Sequence, residues 1–350
     1  MRLACLISAR NLGDAAAHSS VLAELASRRF ADAYLVWTKP ALAFLFEGIA
    51  RCEVLTSPLP IGSSNSFGMS DVRALLRVAG KVRELKPDVT LDLVGDVRER
   101  WLARLAGSRR HLHIGWSAAH PFRRIIRNPF GSGRSACTVP PNVPGVYGAY
   151  AAFIDAICPR TEPDTGTGTG TFAAPPASGG RLRIGLHPFA SQDCKLWPSE
   201  SWRELAAQAS ARGHELIAFC APAEAAQLDT VFHDATVPIR KVAGSLRNFE
   251  LESSKLDLMI GLDSFSIHLA QRLGIASIML NAGNPPTLWA PPRGTVLGSG
   301  GGCSRYPCFN VPRCEPQARY VCIRSVAVAA VIAEVERFAT VILSSRPATS

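Results

Sequence analysis

The segment from Lys255 to Pro292 constrains the fold more than any other part of the chain. Residues 256–262 form a short apolar run closed by Asp263, residues 264–273 carry apolar side chains at helical spacing, and residues 276–280 are apolar again. This succession predicts a strand, a helix and a strand, a βαβ unit. In such a unit the first turn of the helix lies at the carboxyl edge of the sheet, where backbone N–H groups and the helix dipole favour an anion.

The same alternation of strand and helix runs through both halves of the chain. One series begins at Leu3 and another at Leu182, and the residues between the two series, 163–181, are rich in Gly, Thr, Pro and Ala without an amphipathic period. Such a composition is typical of a flexible linker. We therefore expect an α/β protein with two Rossmann-like domains. The predicted boundaries are 1–162 for the first domain, 163–181 for the linker, 182–323 for the second domain, and 324–350 for a final helix and tail.

Composition excludes several classes of protein. Apolar residues make up 47% and charged residues 19% of the 350 residues, which excludes a mostly disordered chain. The apolar run Leu3 to Ile7 is too short for the core of a signal peptide. The apolar segment 325–343 contains three charged residues, which favours an amphipathic helix over a membrane span. We therefore expect a cytoplasmic protein whose ten cysteines are buried thiols or metal ligands rather than a disulfide framework.

The charge of the chain indicates polyanionic partners. Lys and Arg exceed Asp and Glu by 38 to 28, a net charge of +10. Between residues 98 and 127, arginines are interleaved with aromatic side chains and acids are few. A solvated surface explains this segment, and so does contact with an anionic membrane or acceptor. No nucleic-acid-binding signature accompanies it, so we expect no nucleic-acid partner.

Polar residues recur at the predicted carboxyl edge of the second half. Asp263, Ser264 and His268 stand in the pattern Asp-Ser-x-x-x-His-Leu-Ala, followed by Asn-Pro-Pro-x-x-Trp-x-Pro, and Lys195 stands in Lys-x-Trp-Pro shortly after Ser191. These motifs resemble those of glycosyltransferase family 9, the lipopolysaccharide heptosyltransferases. The resemblance is strong in the second half and weaker in the first.

The resemblance implies the GT-B architecture, in which two Rossmann-like domains face each other across a cleft. It also implies an inverting glycosyltransferase that requires no metal and moves heptose from ADP-heptose onto the inner core of lipopolysaccharide. The implied partners are a nucleotide sugar, a phosphorylated lipopolysaccharide acceptor and, by peripheral contact, the anionic inner membrane. Three alternatives stay open. The protein can be a transferase of the same fold that uses another nucleotide sugar, a transferase that acts on a protein acceptor, or a catalytically silent protein that binds a nucleotide sugar.

The family's Gly-Asp motif supplies the general base, and Gly13-Asp14 matches it after the first predicted strand. A carboxylate placed there can take the proton of an acceptor hydroxyl, although Asp14 can also simply cap the following helix. In the resemblance Ser191 and Lys195 hold the diphosphate and Glu224 holds the ribose. The alternatives are surface positions for the first two residues and an acid that complements the helix dipole for Glu224.

The donor motif differs from that of the family at one position, and it leaves the role of His268 open. The family has glycine where this chain has Phe265, so a phenyl ring here can narrow the sugar pocket. His268 is either part of the donor site or a satisfied core histidine.

Four cysteines, Cys303, Cys308, Cys314 and Cys322, follow a glycine run. Family members that modify autotransporter proteins hold iron in such a cluster, but the spacing is not that of a zinc ribbon, and reduced thiols packed in a loop are the alternative.

Overall fold

The structure is a computed structural model that describes residues 1–8, 10–59, 68–94, 97–117, 137–160 and 180–345. The chain divides into two units, Met1–Thr169 and Gly170–Ser350. Most of the predicted linker and the last third of the basic segment, residues 118–127, lie outside the described residues, so the predicted domain boundaries stay a prediction.

Unit 1 contains a sheet of six parallel strands. Its order places the first and fourth strands side by side at the centre, which is the switch point of a Rossmann-like sheet. The sequence of a strand that is buried on both faces is a short apolar run, and the first two strands show this pattern. In sheet order the strands are β3 (Cys52–Thr56), β2 (Ala33–Thr38), β1 (Leu3–Ser8), β4 (Val89–Asp92), β5 (Arg110–Trp116) and β6 (Cys137–Val139).

Helices flank this sheet. They are α1 (Leu12–Ser27), a 3-10 helix (Pro40–Phe46), α2 (Met69–Leu85), α3 (Val97–Ala106) and α4 (Gly145–Ile157). Helices α2 and α3 bury their apolar residues in one shared cluster with alternate residues of β1 and β2. Because residues two apart in a strand point to the same face, α2 and α3 lie together on one face of the sheet.

Unit 2 repeats the topology of unit 1. Its six strands are all parallel, and their order again puts the first beside the fourth. In sheet order the strands are β12 (Gly294–Leu297), β11 (Ala276–Leu280), β10 (Leu258–Leu262), β7 (Arg183–His187), β8 (Glu215–Cys220) and β9 (Arg240–Ala243). The predicted α/β class with two Rossmann-like sheets is confirmed.

The helices of unit 2 include the predicted final helix. The α-helices are α5 (Ser199–Ala211), α6 (Ala225–Val231), α7 (Leu246–Ser253), α8 (Phe265–Arg272), α9 (Val321–Arg324) and α10 (Val328–Ser344). Short 3-10 helices cover Asp193–Lys195, Pro222–Glu224 and Pro316–Ala318. Val331 and Val335 of α10 are fully buried in the same cluster as Trp202 and Leu205 of α5. The last helix therefore completes the core of unit 2. No helix in the described ranges is both long and apolar enough to cross a membrane.

Several boundaries differ from the sequence prediction. Helix α1 begins at Leu12 with Asn11 as its N-cap, so Asp14 lies inside the first helical turn and not in a turn that precedes the helix. Pro198 is the N-cap of α5, and Ser199 is the first helical residue. Proline has no N–H to satisfy and a fixed φ, so it closes the preceding loop at this point. The segment after β2 forms a 3-10 helix.

Candidate functional site

Four of the six predicted donor residues come together at the switch point of unit 2, namely Lys195, Asp263, Ser264 and His268. Strands β7 and β10 are neighbours, with Gly261 beside His187 near their carboxyl ends. The chain leaving β7 carries Lys195, and the chain leaving β10 passes through Asp263 and Ser264 into α8. Ligands of open α/β sheets bind in this crevice. The βαβ prediction therefore placed these loops at the correct edge.

Lys195 and Asp263 form a partly buried ion pair at this edge. The Nζ atom of Lys195 lies 3.1 Å from Oδ2 of Asp263 and donates to the carbonyl oxygen of the same residue at 2.8 Å. Only 14% of the lysine side chain and 6% of the aspartate side chain are exposed. The surface alternative for Lys195 is therefore wrong, because the ammonium is directed inward onto the loop after β10.

A buried tryptophan fixes the loop that carries Lys195. Trp197 is 3% exposed, packs edge-on against Trp202 with the ring centroids 5.2 Å apart, and donates from Nε1 to the carbonyl oxygen of Val326 at 3.0 Å. Lys195 itself closes a 3-10 turn onto Gln192. The Lys-x-Trp-Pro motif thus has a structural explanation, because the buried indole of Trp197 anchors the loop two residues after Lys195.

Asn284 completes the carboxylate environment, and the sequence did not assign it a role. Its Nδ2 atom donates to Oδ2 of Asp263 at 2.7 Å, and the residue is 6% exposed. Its own carbonyl oxygen accepts from Nδ2 of Asn281 at 2.7 Å and from the hydroxyl of Tyr306 at 2.6 Å. Asn284 opens the Asn-Pro-Pro segment of the motif, but only the folded loop shows that its amide meets Asp263.

The cysteine-containing loop packs directly behind Asn284. Phe309 donates its backbone N–H to the Gly283 carbonyl oxygen at 2.9 Å, and Gln192 Nε2 donates to the Asn310 carbonyl oxygen at 3.3 Å. A Cβ atom added at Gly283 would lie 2.5 Å from the sulfur of Cys308. The loop therefore supports both the Asn284 segment and the start of the Lys195 turn.

The predicted metal role of these cysteines is not supported by their arrangement. Cys303, Cys308, Cys314 and Cys322 are all free thiols. Burial raises the pKa of Cys322, and the other three cysteines raise it further, so the four thiols are near enough to interact. Within the described ranges, however, no three or more His, Cys, Asp or Glu side chains are arranged to hold a metal ion.

His268 is a buried histidine next to the ion pair. It is 5% exposed, and its ring packs edge-on against Trp289 with centroids 4.9 Å apart. Burial lowers the pKa of His268 to about 4, Asp263 opposes this shift, and Lys195 adds to it. The imidazole is therefore neutral at neutral pH. Both interpretations from the sequence survive, because the residue is a core histidine that also adjoins the candidate site.

An aromatic cluster lies beside the start of α8. Ser264 is the N-cap of this helix, and its hydroxyl lies 3.5 Å from Nδ1 of His187. The Phe265 ring packs on Phe249 at a centroid distance of 5.7 Å, and Phe249 also contacts His187 and Phe219. The backbone N–H groups at the helix start remain suited to an anion. The phenyl ring that replaces the family's glycine thus extends an aromatic wall along the site.

Glu224 lies in the 3-10 turn after β8, and Ser191 lies in the loop after β7. The Glu224 carboxylate accepts the backbone N–H of Ala221 through Oε2 at 2.8 Å, so one of its oxygens closes its own turn. Ser191 is exposed on the loop after β7. The structure thus favours a capping role for Glu224, with its second oxygen still able to accept a hydrogen bond.

In unit 1, Asp14 belongs to a group of charged and polar residues at the carboxyl edge of the sheet. Burial raises the pKa of Tyr150 well above its usual value, and the nearby carboxylates of Asp14 and Glu99 raise it further. Glu99 is 1% exposed and pairs with Arg10 at 3.6 Å. Asp14 is thus one of several ionisable groups around a buried phenol. No sequence signal indicated Tyr150, which comes from the distant helix α4.

His18 adds a neutral imidazole one turn beyond Asp14. It is fully buried, its Nδ1 atom lies 3.0 Å from the hydroxyl of Ser8, and its ring packs edge-on against Tyr150. Burial lowers the pKa of His18 to about 3. This histidine thus connects the α1 segment that carries Asp14 to β1 and to α4.

Comparisons with known proteins bear on the family and the fold of the chain. The model of glycosyltransferase family 9 (heptosyltransferase) matches residues 76–318, more than half of the chain. No sequence among the curated proteins matches the chain.

Solved structures resemble the chain over nearly its whole length. A family 9 glycosyl transferase from Veillonella parvula has a TM-score of 0.70 at 15% identity, with 98% of each chain covered. E. coli ADP-heptose lps heptosyltransferase II has a TM-score of 0.65 at 15% identity, covering 97% of this chain and 99% of that chain. The iron-containing dodecameric glycosyltransferase TibC from enterotoxigenic E. coli has a TM-score of 0.55 at 13% identity, covering 99% of this chain and 80% of that one. At these identities the likeness shows a shared fold.

Proposed function

Because the chain belongs to glycosyltransferase family 9, we propose that this glycosyltransferase moves heptose from ADP-heptose onto the inner core of lipopolysaccharide with inversion at the anomeric carbon. The observation that carries the proposal is the Lys195–Asp263–Asn284 cluster at the switch point of unit 2. One solved relative is an ADP-heptose lps heptosyltransferase, which supports the choice of donor and acceptor. The proposed place of action is the cytoplasmic face of the inner membrane.

In this proposal the donor diphosphate lies at the start of α8. Backbone N–H groups of Ser264 and Phe265 and the helix dipole attract the phosphates. A lysine ammonium has three donor hydrogens, and Lys195 uses two of them on Asp263, so one remains for a phosphate oxygen. Ser191 adds a hydroxyl from the loop after β7. Charge that develops on the departing ADP is thereby stabilised by groups of the chain itself.

Asp14 is the proposed general base. The acceptor hydroxyl oxygen attacks the anomeric carbon of heptose, the bond from that carbon to the diphosphate oxygen breaks, and ADP leaves. The hydroxyl proton passes to the Asp14 carboxylate. The half-buried position of Asp14 among Tyr150, Glu99 and Arg10 supports this role, since neighbouring charges tune the basicity of a carboxylate.

Asp14→Asn tests the proposal. Purified protein is incubated with ADP-heptose and heptose-deficient lipopolysaccharide, ADP release is followed, and the product is weighed by mass spectrometry. We expect a loss in kcat of about 10²- to 10⁴-fold with unchanged donor affinity. Asp32→Asn, at an exposed carboxylate outside the candidate site, is the matched control and should turn over normally. Wild-type turnover by Asp14→Asn would show that the base assignment is wrong, and an inactive wild type that still binds donor would favour the catalytically silent alternative.

Phe265 favours a second candidate, the same transfer from a different nucleotide sugar. Its ring packs against Phe249 beside the start of α8, where the family has glycine. A panel of ADP- and UDP-sugars, assayed by nucleotide release, distinguishes the donors. If Phe265 sets the preference, Phe265→Gly shifts activity toward ADP-heptose relative to the best alternative donor.

A protein acceptor is the third candidate, and the family resemblance links it to iron, since family members that modify autotransporter proteins hold iron in a cysteine cluster. Elemental analysis of the purified protein tests it. Stoichiometric iron that disappears in a Cys308→Ser variant would support this candidate, whereas iron-free active protein would support the lipopolysaccharide acceptor.

A further inference from the structure

The outer surface of α2 and α3 combines exposed apolar side chains with exposed cations. Both helices bury their apolar residues in one cluster on the same side of the sheet, and Arg83 of α2 donates to the Leu105 carbonyl oxygen of α3 at 2.6 Å. The residues opposite this cluster therefore form a common outer surface. We name it the α2–α3 face, and it consists of Met69, Arg73, Leu76, Arg77, Trp101 and Arg104.

The apolar part of this face is unusually exposed. Met69 is 72% exposed, Leu76 53% and Trp101 48%. The described part of unit 1 has five strongly exposed large apolar side chains, and these three are among them. Single exposed apolar residues need no explanation, but a group of them on one face marks an interaction surface.

The charge of the face is positive, because two of the three described acids of these helices, Asp71 and Glu99, are engaged elsewhere. Asp71 accepts the backbone N–H of Gly68 through Oδ2 at 3.0 Å at the start of α2. Glu99 of α3 is 1% exposed and pairs with Arg10, and Glu84 lies at the far end of α2. Among the residues that the structure describes, Arg73, Arg77 and Arg104 have no ion-pair partner.

We propose that the α2–α3 face docks on an anionic phospholipid surface. Tryptophan prefers the level of the lipid headgroups, where its ring is in an apolar environment and its N–H is hydrated. Arginine side chains attract anionic headgroups while their aliphatic stems cover apolar surface. Two helices lying flat against the sheet present both groups in one plane, which suits peripheral binding and not insertion.

The test is co-sedimentation of the full chain with phosphatidylcholine vesicles with and without phosphatidylglycerol. We expect binding that requires phosphatidylglycerol and is lost at high salt. Arg73→Gln with Arg77→Gln should weaken it about 25-fold, since each juxtamembrane cation contributes about five-fold. The matched control, Arg29→Gln with Arg51→Gln, removes the same charge from exposed arginines outside this face and should bind like wild type. Equal weakening by both pairs would overturn the proposal.

Trp101 gives a second and independent measurement. Vesicles that contain brominated phospholipid quench tryptophans at headgroup depth, so wild type should be quenched more than Trp101→Phe. Equal quenching of the two proteins would overturn the proposal, as would tight binding of RNA by this face together with no binding of vesicles. Neither measurement uses a sugar substrate, so the result is independent of the proposed transferase reaction.

Discussion

Lys195 and Asp263 hold each other through two contacts, because the ammonium donates both to the carboxylate at 3.1 Å and to the backbone carbonyl of the same aspartate at 2.8 Å. This pair joins the loops after β7 and β10, the two strands that flank the switch point of unit 2. The pair thus links the stability of this edge to its proposed chemistry.

Removing the ammonium should therefore affect both properties. Lys195→Met leaves the Asp263 carboxylate buried without its cation, and we expect a loss of about 3–5 kcal/mol in the free energy of unfolding. The double variant Lys195→Met with Asp263→Leu should recover most of that stability, because an apolar pair replaces both charges. Activity should be lost in both proteins. Urea unfolding and ADP release measure the two effects, and an unchanged unfolding midpoint for the single variant would contradict the pair's importance.

Asn284→Ala should weaken the donor site without removing a charge. The amide donates to Asp263 at 2.7 Å, and loss of a hydrogen bond to a charged group costs about 1.5–3 kcal/mol. We expect a higher KM for the donor and a lower unfolding midpoint. Thr287→Ala, an exposed substitution in the same segment, serves as the control. Identical donor KM values for the two variants would argue against a role of Asn284.

Glu224→Ala separates capping from ribose binding. Loss of the bond to the Ala221 N–H should lower the free energy of unfolding by about 1 kcal/mol. If the second carboxylate oxygen also accepts a ribose hydroxyl, the donor KM should rise about ten-fold or more. Isothermal titration with ADP and thermal unfolding measure the two effects separately. A stability loss with unchanged ADP affinity would leave Glu224 with the capping role alone.

His187 should make the protein less stable in acid. Burial lowers its pKa to about 4, so between this value and the ordinary pKa of about 6.5 the unfolded chain binds more protons than the folded one. The contribution of His187 to the free energy of unfolding is fully present above the pKa that the residue has in the unfolded chain. It declines as the pH falls toward the pKa in the folded protein. From about pH 7.5 to about pH 5, wild type should lose about 2 kcal/mol more than His187→Phe. Urea unfolding at both pH values measures the difference, and equal losses would mean that His187 is protonated in the folded state.

Much of unit 2 could be predicted from the sequence because its central strands are uninterrupted apolar runs. The βαβ unit around Asp263 follows from local periodicity, and so does the carboxyl-edge position of Ser264. Strands β9 and β12 were missed, since Arg240–Ala243 is mostly exposed and Gly294–Leu297 is an edge strand without a full apolar run. Neighbouring elements cover an edge strand on fewer sides, so its sequence carries a weaker apolar pattern.

The contacts that define the site could not be predicted from the sequence. Asn284 reaches Asp263 only because Asn281 and Tyr306 hold its carbonyl group, and Tyr306 belongs to the cysteine-containing loop. Tyr150 approaches Asp14 from another helix. Such contacts join residues that are remote along the chain, and their distances depend on side-chain packing rather than on periodicity. The roles assigned to Asp14, Ser191, Lys195, Glu224, Ser264 and His268 stay predictions.

The close fit between Cys308 and Gly283 limits which residue position 283 can hold. The sulfur lies where a single additional carbon on Gly283 would collide with it, so a larger residue there has to push the cysteine-containing loop away from the segment that carries Asn284. Glycine at position 283 thus sets how closely these two segments pack.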